Sequence, residues 1–244
     1  MAKVASATNK RVDIAVPALV DIFATESNIM FDALRNEPTN GKSNQHRRDC
    51  HLGIAPSNSL PIVDSEVDVV VASPPYCTRI DYAVATRVEL ALLGVGTNGQ
   101  MRSLRDAMTG TSTIRPNVPD QKPQWGSTCH KLLKAVVRHD SKASRSYYVK
   151  TLLQYFHDIY ESLIEIDRCL RDNGHCILVV QDSYYKDIEI RLPKIFQEMG
   201  ASLGWRIGAR SDFPVSRNML GVNTRSQQYR SANAATETVL WFTT

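Results

Sequence analysis

Residues 67–76 read Val-Asp-Val-Val-Val-Ala-Ser-Pro-Pro-Tyr, an apolar run that ends in a hydroxyl, two rigid rings and an aromatic. Proline has no N–H and cannot continue a strand ladder, so the strand must stop there. These residue types suit one chemistry. An exocyclic amine on a nucleobase is a poor nucleophile, because its lone pair is delocalised into the ring. Two oxygen acceptors that take its N–H bonds draw the nitrogen toward a tetrahedral geometry and localise that pair. Ser73 Oγ and the Pro74 carbonyl are the candidate acceptors, and Pro75 stiffens the backbone behind them. Tyr76 offers a face on which an extruded base can stack. The plainer alternative is a turn whose prolines do no more than end a strand.

Ligands of open α/β sheets bind outside the carboxyl ends of the strands, so the elements around residues 67–76 decide whether a site can exist there. The strand at 67–72 is β-branched and apolar on both faces, as expected of a parallel strand covered by helices. Residues 81–94 read as a helix closed by Gly94, and 148–171 as a longer one with a buried stripe through Leu152, Phe156, Ile159 and Leu163. Asn173-Gly174 ends it, before a buried strand at 175–181. A helix started or interrupted at Pro193, a strand at 203–209, a polar loop at 210–236 and a last strand at 237–242 follow. Upstream, 12–35 has helical apolar spacing, 36–49 is a polar linker, and His51–Ala55 is a candidate short strand. This alternation predicts an α/β, mostly parallel, three-layer sheet with an antiparallel C-terminal edge strand. It divides the chain into a helix and linker at 1–49 and a catalytic domain at 50–244.

Residues 95–128 are rich in Gly, Ser, Thr and Pro with little apolar period and read as a long surface excursion. Charge collects in and beyond it. Between Val95 and Lys150 stand ten Lys/Arg against three Asp, so this stretch carries most of the positive charge of a chain whose net charge is +4. A basic insertion at 95–147 is therefore expected to contact phosphates and carry target recognition; a solvated loop is the alternative. Apolar content of 43% and charged content of 22% are those of a globular protein. No apolar run approaches the roughly 18 residues of a membrane span, and the first residues hold no secretory pattern. The five cysteines are scattered, with no CxxC pair, so neither a metal site nor a disulfide framework is indicated and a reduced cytoplasmic protein is expected.

Ser73-Pro74-Pro75-Tyr76 behind a Val-Asp lead-in resembles the catalytic motif of the S-adenosylmethionine-dependent amino-methyltransferases of DNA. Leu60-Pro61 and the acidic turn before the strand are similar to the same family. So are Arg79-Ile80-Asp81-Tyr82, the helix and strand from 155 to 183, and the closing strand Glu237–Phe242. The resemblance covers about 50–94 and 148–244. It implies a partial Rossmann-like methyltransferase fold, DNA as partner, S-adenosylmethionine as cofactor, and methyl transfer to an exocyclic base amine. Cytosine N4 is the first expectation and adenine N6 the alternative. A non-catalytic DNA-binding remnant and an RNA amino-methyltransferase remain as further readings. Ser73, Pro74, Pro75 and Tyr76 are the implied catalytic residues. Arg79, Asp81, Tyr82, Asp182 and Arg217 are the candidate substrate contacts, with Arg225 and Arg230 in the same loop as Arg217.

The sequence departs from that family in one respect. The glycine-rich loop after a first strand, where the backbone approaches the cofactor, has no counterpart: Gly94–Gln100 has glycines but follows a helix. Where members often have Gly-Asp-Ser, this chain has Ser57-Asn58-Ser59, which leaves Ser57 and Asn58 as the candidate cofactor contacts. The strand at 67–72 would then lie near an open sheet edge, which proteins normally cover. A second polypeptide, or an upstream portion, is expected to complete the sheet and bring the glycine-rich cofactor motif.

Overall fold

The structure, a computed structural model, describes residues 2–5, 11–14, 16–35, 51–77, 81–95, 98–215 and 235–244. Two compact units divide the chain, Met1–Gly53 and Ile54–Thr244. In the first, β1 (Ala2–Ala5) pairs antiparallel with β2 (Arg11–Ile14), and α1 spans Val16–Arg35. The helical spacing expected over 12–35 thus forms its helix from residue 16, and Pro17 sits in the first turn, where a missing N–H loses nothing. The polar linker at 36–49 lies outside the described residues.

In the second unit the described elements run β3 (Val67–Ala72), α2 (Tyr82–Ala85), α3 (Arg87–Leu92), α4 (Asn98–Ala107), α5 (Gly126–Arg138), α6 (Val149–Cys169), β4 (Leu170–Gln181), β5 (Ser183–Tyr185), β6 (Ile188–Ile190), α7 (Leu192–Ser202), β7 (Arg206–Val215) and β8 (Ala235–Thr243). A four-stranded sheet has the order β3, β4, β8, β7. β3 and β4 are parallel, and β8 runs antiparallel to both its neighbours. Three of the four strands therefore share one direction. The last strand is antiparallel as expected, but it sits between β4 and β7 instead of at an edge. Strand order depends on which partner a strand finds in space, and neither its period nor its composition records that.

Helices α6 and α7 cover one face of this sheet, and α5 packs against both of them. Trp125, Val136, Phe156, Ile195, Phe196 and Met199 meet Cys176, Leu178, Leu240 and Phe242 in one apolar core. On the opposite face Val69, Val71 and Trp241 are exposed, Val71 by 68%. The described residues therefore supply two layers, one sheet and one helical layer, of the three expected. Residues 51–55 form no strand. The helix expected at 81–94 is broken at Thr86 into α2 and α3, and Gly94 follows with φ +78. The helix before β4 stops at Cys169, and Asn173, in a left-handed conformation at φ 60, lies inside the irregular start of β4.

The expectation that fails most clearly is the surface excursion at 95–128. Its first part forms α4, and its end carries the fully buried Trp125 into α5, whose Cys129, Leu132, Leu133 and Val136 lie in the core. Those four residues recur at helical spacing, a signal masked by the Gly, Ser and Pro that precede them. Among the described residues no helix is long and apolar enough to cross a membrane, and no cluster of His, Cys, Asp and Glu could hold a metal ion.

Candidate active site

β3 ends at Ala72, and the next residues leave the ladder at the carboxyl end of the parallel pair. Ser73 is exposed and Tyr76 is 36% exposed, so the turn opens to solvent. Ser73 Oγ donates to the Val179 carbonyl at 3.3 Å. That bond uses the only proton of the hydroxyl and leaves its oxygen as an acceptor. The Pro75 carbonyl accepts from the Tyr155 hydroxyl at 2.9 Å. Burial, with smaller effects from Cys77 and Tyr82, holds the Tyr155 phenol well above its ordinary pKa, so it remains a donor. Among the described residues nothing donates to the Pro74 carbonyl. Of the two proline carbonyls, then, the described residues tie only that of Pro75.

Three further contacts brace the turn. The Tyr76 N–H donates to the Tyr82 hydroxyl at 3.2 Å, and buried Ser183 donates through Oγ to the Cys77 carbonyl at 3.3 Å. Gly110, at φ +77, brings a loop against the same backbone: a Cβ there would lie 3.6 Å from the Tyr76 carbonyl and 3.7 Å from Pro75 Cβ. The left-handed φ is what a side chain at this position would strain. Both ends of that loop are anchored by charge. Asp81 caps α2 through Val84 N at 3.2 Å and also takes Arg105 at 2.5 Å and Ser112 Oγ at 3.2 Å. Arg115 grips Asp158 with two bonds of 2.6 and 2.7 Å and donates to the carbonyls of Asp106 and Met108. Gln154 then closes both hydrogen bonds of the loop backbone at Thr113 and Arg115.

The residues expected at the site thus divide. Ser73, Pro74, Pro75 and Tyr76 stand together, with Asp81 and Tyr82 beside them, but the Asp81 carboxylate is filled by protein donors. Asp182 follows β4 with its N–H on the Thr236 carbonyl, and burial, then nearby Glu189, pushes its carboxyl up. Arg79, Arg217, Arg225 and Arg230 lie outside the described residues. Tyr155, Gly110, Arg105 and Arg115 were not singled out by the sequence. The one available signal was Tyr155, a phenol within an apolar helix, which needs a partner once buried. Buried Cys129 has its thiol pushed far up by desolvation, so it is no nucleophile.

Ser57 and Asn58 are not joined to this group. Ser57 Oγ meets Ser162 Oγ at 2.8 Å, seven residues along α6 from Tyr155 and so about 10 Å down its axis. The same segment is held by Glu165, which accepts from Leu60 N at 2.7 Å, and by Arg168, which reaches the Leu60 and Ile62 carbonyls and Asp64. Arg168, and after it the Leu60 amide, lowers the Glu165 carboxyl to about 2. A carboxylate free in the unfolded chain titrates near 4.3. The stabilisation from Glu165 is therefore complete above that value and is lost as pH falls through about 2. Hydrogen exchange should show the Leu60 amide fully protected at pH 5 and progressively less protected from pH 4 to 2. Unchanged protection across that range would mean that Glu165 does not hold the segment.

An α/β unit with a mixed sheet, whose Ser-Pro-Pro-Tyr turn stands open at the carboxyl end of a parallel strand, has the form of a partial Rossmann-like fold. The chain is similar to Type II methyltransferases: it is 24% identical over 151 residues to Type II methyltransferase M.AvaI of Nostoc sp. and, equally, to that of Anabaena variabilis. It is 28% identical over 163 residues to Type II methyltransferase M.BsoBI of Geobacillus stearothermophilus. Each match takes in 57% of this chain, but it spans only 31% of the first two relatives and 26% of the third. No protein-family model matches the chain.

Proposed function

We propose that this chain carries the base-holding half of a DNA amino-methyltransferase, acting on cytosine N4, with adenine N6 as the alternative base. The observation that supports this most is the selective tying of acceptors around the motif. Val179 takes the Ser73 proton and Tyr155 takes the Pro75 carbonyl, which leaves Ser73 Oγ and the Pro74 carbonyl as a pair for one exocyclic amine. Holding both amine hydrogens localises the nitrogen lone pair, and Tyr76 stacks the extruded base while this happens.

S-adenosylmethionine, when bound, supplies an electrophilic methyl group. The described residues do not by themselves make a site for it: no glycine-rich turn follows a first strand, and Ser57 and Asn58 stand apart from the motif. We assign the rest of that site to polypeptide outside this chain. β3 pairs only with β4 among the described strands, and Val69 and Val71 beside its outer edge are exposed. A cytoplasmic setting fits this reading.

Filter binding of the purified chain to duplex DNA and to tRNA, both at 100 mM KCl, tests the substrate class. Duplex DNA should bind at least about tenfold more tightly, well under the roughly 10³-fold or more by which specific binding to DNA exceeds non-specific binding. Tighter binding of tRNA, or no binding of duplex, would overturn the assignment to DNA.

A further inference from the structure

The ten basic residues between Val95 and Lys150 do not form one surface. Four are engaged by carboxylates within the fold: Arg102 with Asp106, Arg105 with Asp81, Arg115 with Asp158, and Lys122 with Glu161. The other six, Lys131, Lys134, Arg138, Lys142, Arg145 and Lys150, are all exposed and have no carboxylate partner among the described residues. Half of these lie on one helix. Lys131, Lys134 and Arg138 stand three and seven residues apart, which places them on one face of α5, opposite the buried Cys129, Leu132 and Val136. α5 itself has no acidic residue.

A second observation falls at the same place. Lys134 and Arg138 line a cleft of about 460 Å³ between α5 and the first turns of α6, with Leu133, Val137, Val149 and Leu153 also in its wall. Asp120 lines it from one side, and Asp140 follows the helix in the chain. A concave surface with aliphatic walls and an unpaired cationic rim suits a polyanion that is apolar between its charges. A phosphodiester backbone is such a chain, with sugars between its phosphates. The cleft and the motif flank the same stretch of α6. Val149 and Leu153 face the cleft, whereas Tyr155 faces Pro75 and Thr151 and Leu152 line a crevice beside Tyr76.

We infer that the exposed face of α5 and its cleft hold the DNA backbone next to the site, and that residues 95–122 take little part in phosphate contact. This inference rests on the DNA reading above. Each cation that neutralises a phosphate releases a counterion, so the logarithm of the binding constant falls with the logarithm of salt with a slope of about 0.9 per contact. The test is fluorescence anisotropy of a labelled 30-base-pair duplex between 50 and 200 mM KCl. Lys131→Gln/Lys134→Gln/Arg138→Gln should flatten the slope by about 2 to 3 units, and Lys134→Gln alone by about 1. Arg102→Gln, a control on α4, should change it by less than about 0.5. All four side chains are exposed, so melting curves should match the parent. A triple variant that binds duplex with the parental slope would overturn the α5 surface while leaving the DNA reading in place. A parent chain that binds no duplex would overturn the DNA reading itself.

Discussion

Ser73→Ala should lower methyl transfer to DNA about 100-fold or more, the scale seen when one preorganised polar group is removed from a developing charge. On the proposed reading the hydroxyl is one of the two acceptors that hold the amine, and alanine replaces it with nothing. Its bond to Val179 is long and solvent-exposed, so the fold should be nearly unaffected. Tyr76→Ala should reduce transfer to a similar degree for a different reason, loss of the stacking face. Tyr76→Phe should keep most activity, because the Tyr76 contact to Tyr82 is made by the backbone N–H. Incorporation of tritium from labelled S-adenosylmethionine into unmethylated DNA, by the chain combined with the polypeptide that completes its cofactor site, measures both alongside a thermal melt. Alanine variants that melt like the parent and turn over at the parental rate would remove Ser73 and Tyr76 from the mechanism.

The second large effect concerns stability. Arg115→Met leaves Asp158, whose side chain is only 13% exposed, without its two-bond partner, and leaves the carbonyls of Asp106 and Met108 unfilled. Breaking a buried ion pair from one side costs about 3 kcal/mol, because the remaining charge stays desolvated. Urea unfolding should therefore show a fall of about that size. Arg115→Met/Asp158→Leu should recover at least half of it, since no lone charge then remains. If the double variant is less stable than the single one, the orphaned carboxylate is not the cause. The same Arg115→Met change frees the loop whose Gly110 packs on Pro75, so it should also loosen the Ser-Pro-Pro-Tyr turn. Ser73→Ala, with its unchanged melt, separates the two effects.

What could be read from the chain was whatever one segment decides for itself. The β-branched run at 67–72, the apolar runs at 175–181 and 237–242, and the long stripe of α6 form the elements their spacing predicts, because the period of burial is written locally. The Ser-Pro-Pro-Tyr turn is local too, since two prolines end a strand wherever it lies. The helical spacing of Cys129, Leu132, Leu133 and Val136 was equally local, but the low-complexity stretch in front of it concealed it. The tertiary structure decided the rest. Tyr155 reaches Pro75 across 80 residues, Arg115 reaches Asp158 across 43, and β8 inserts between β4 and β7. It also decided which cations are charges on a surface and which are pinned inside the fold. A charge acquires its partner only when the chain folds back on itself, and no pattern along the sequence records the distance at which that happens.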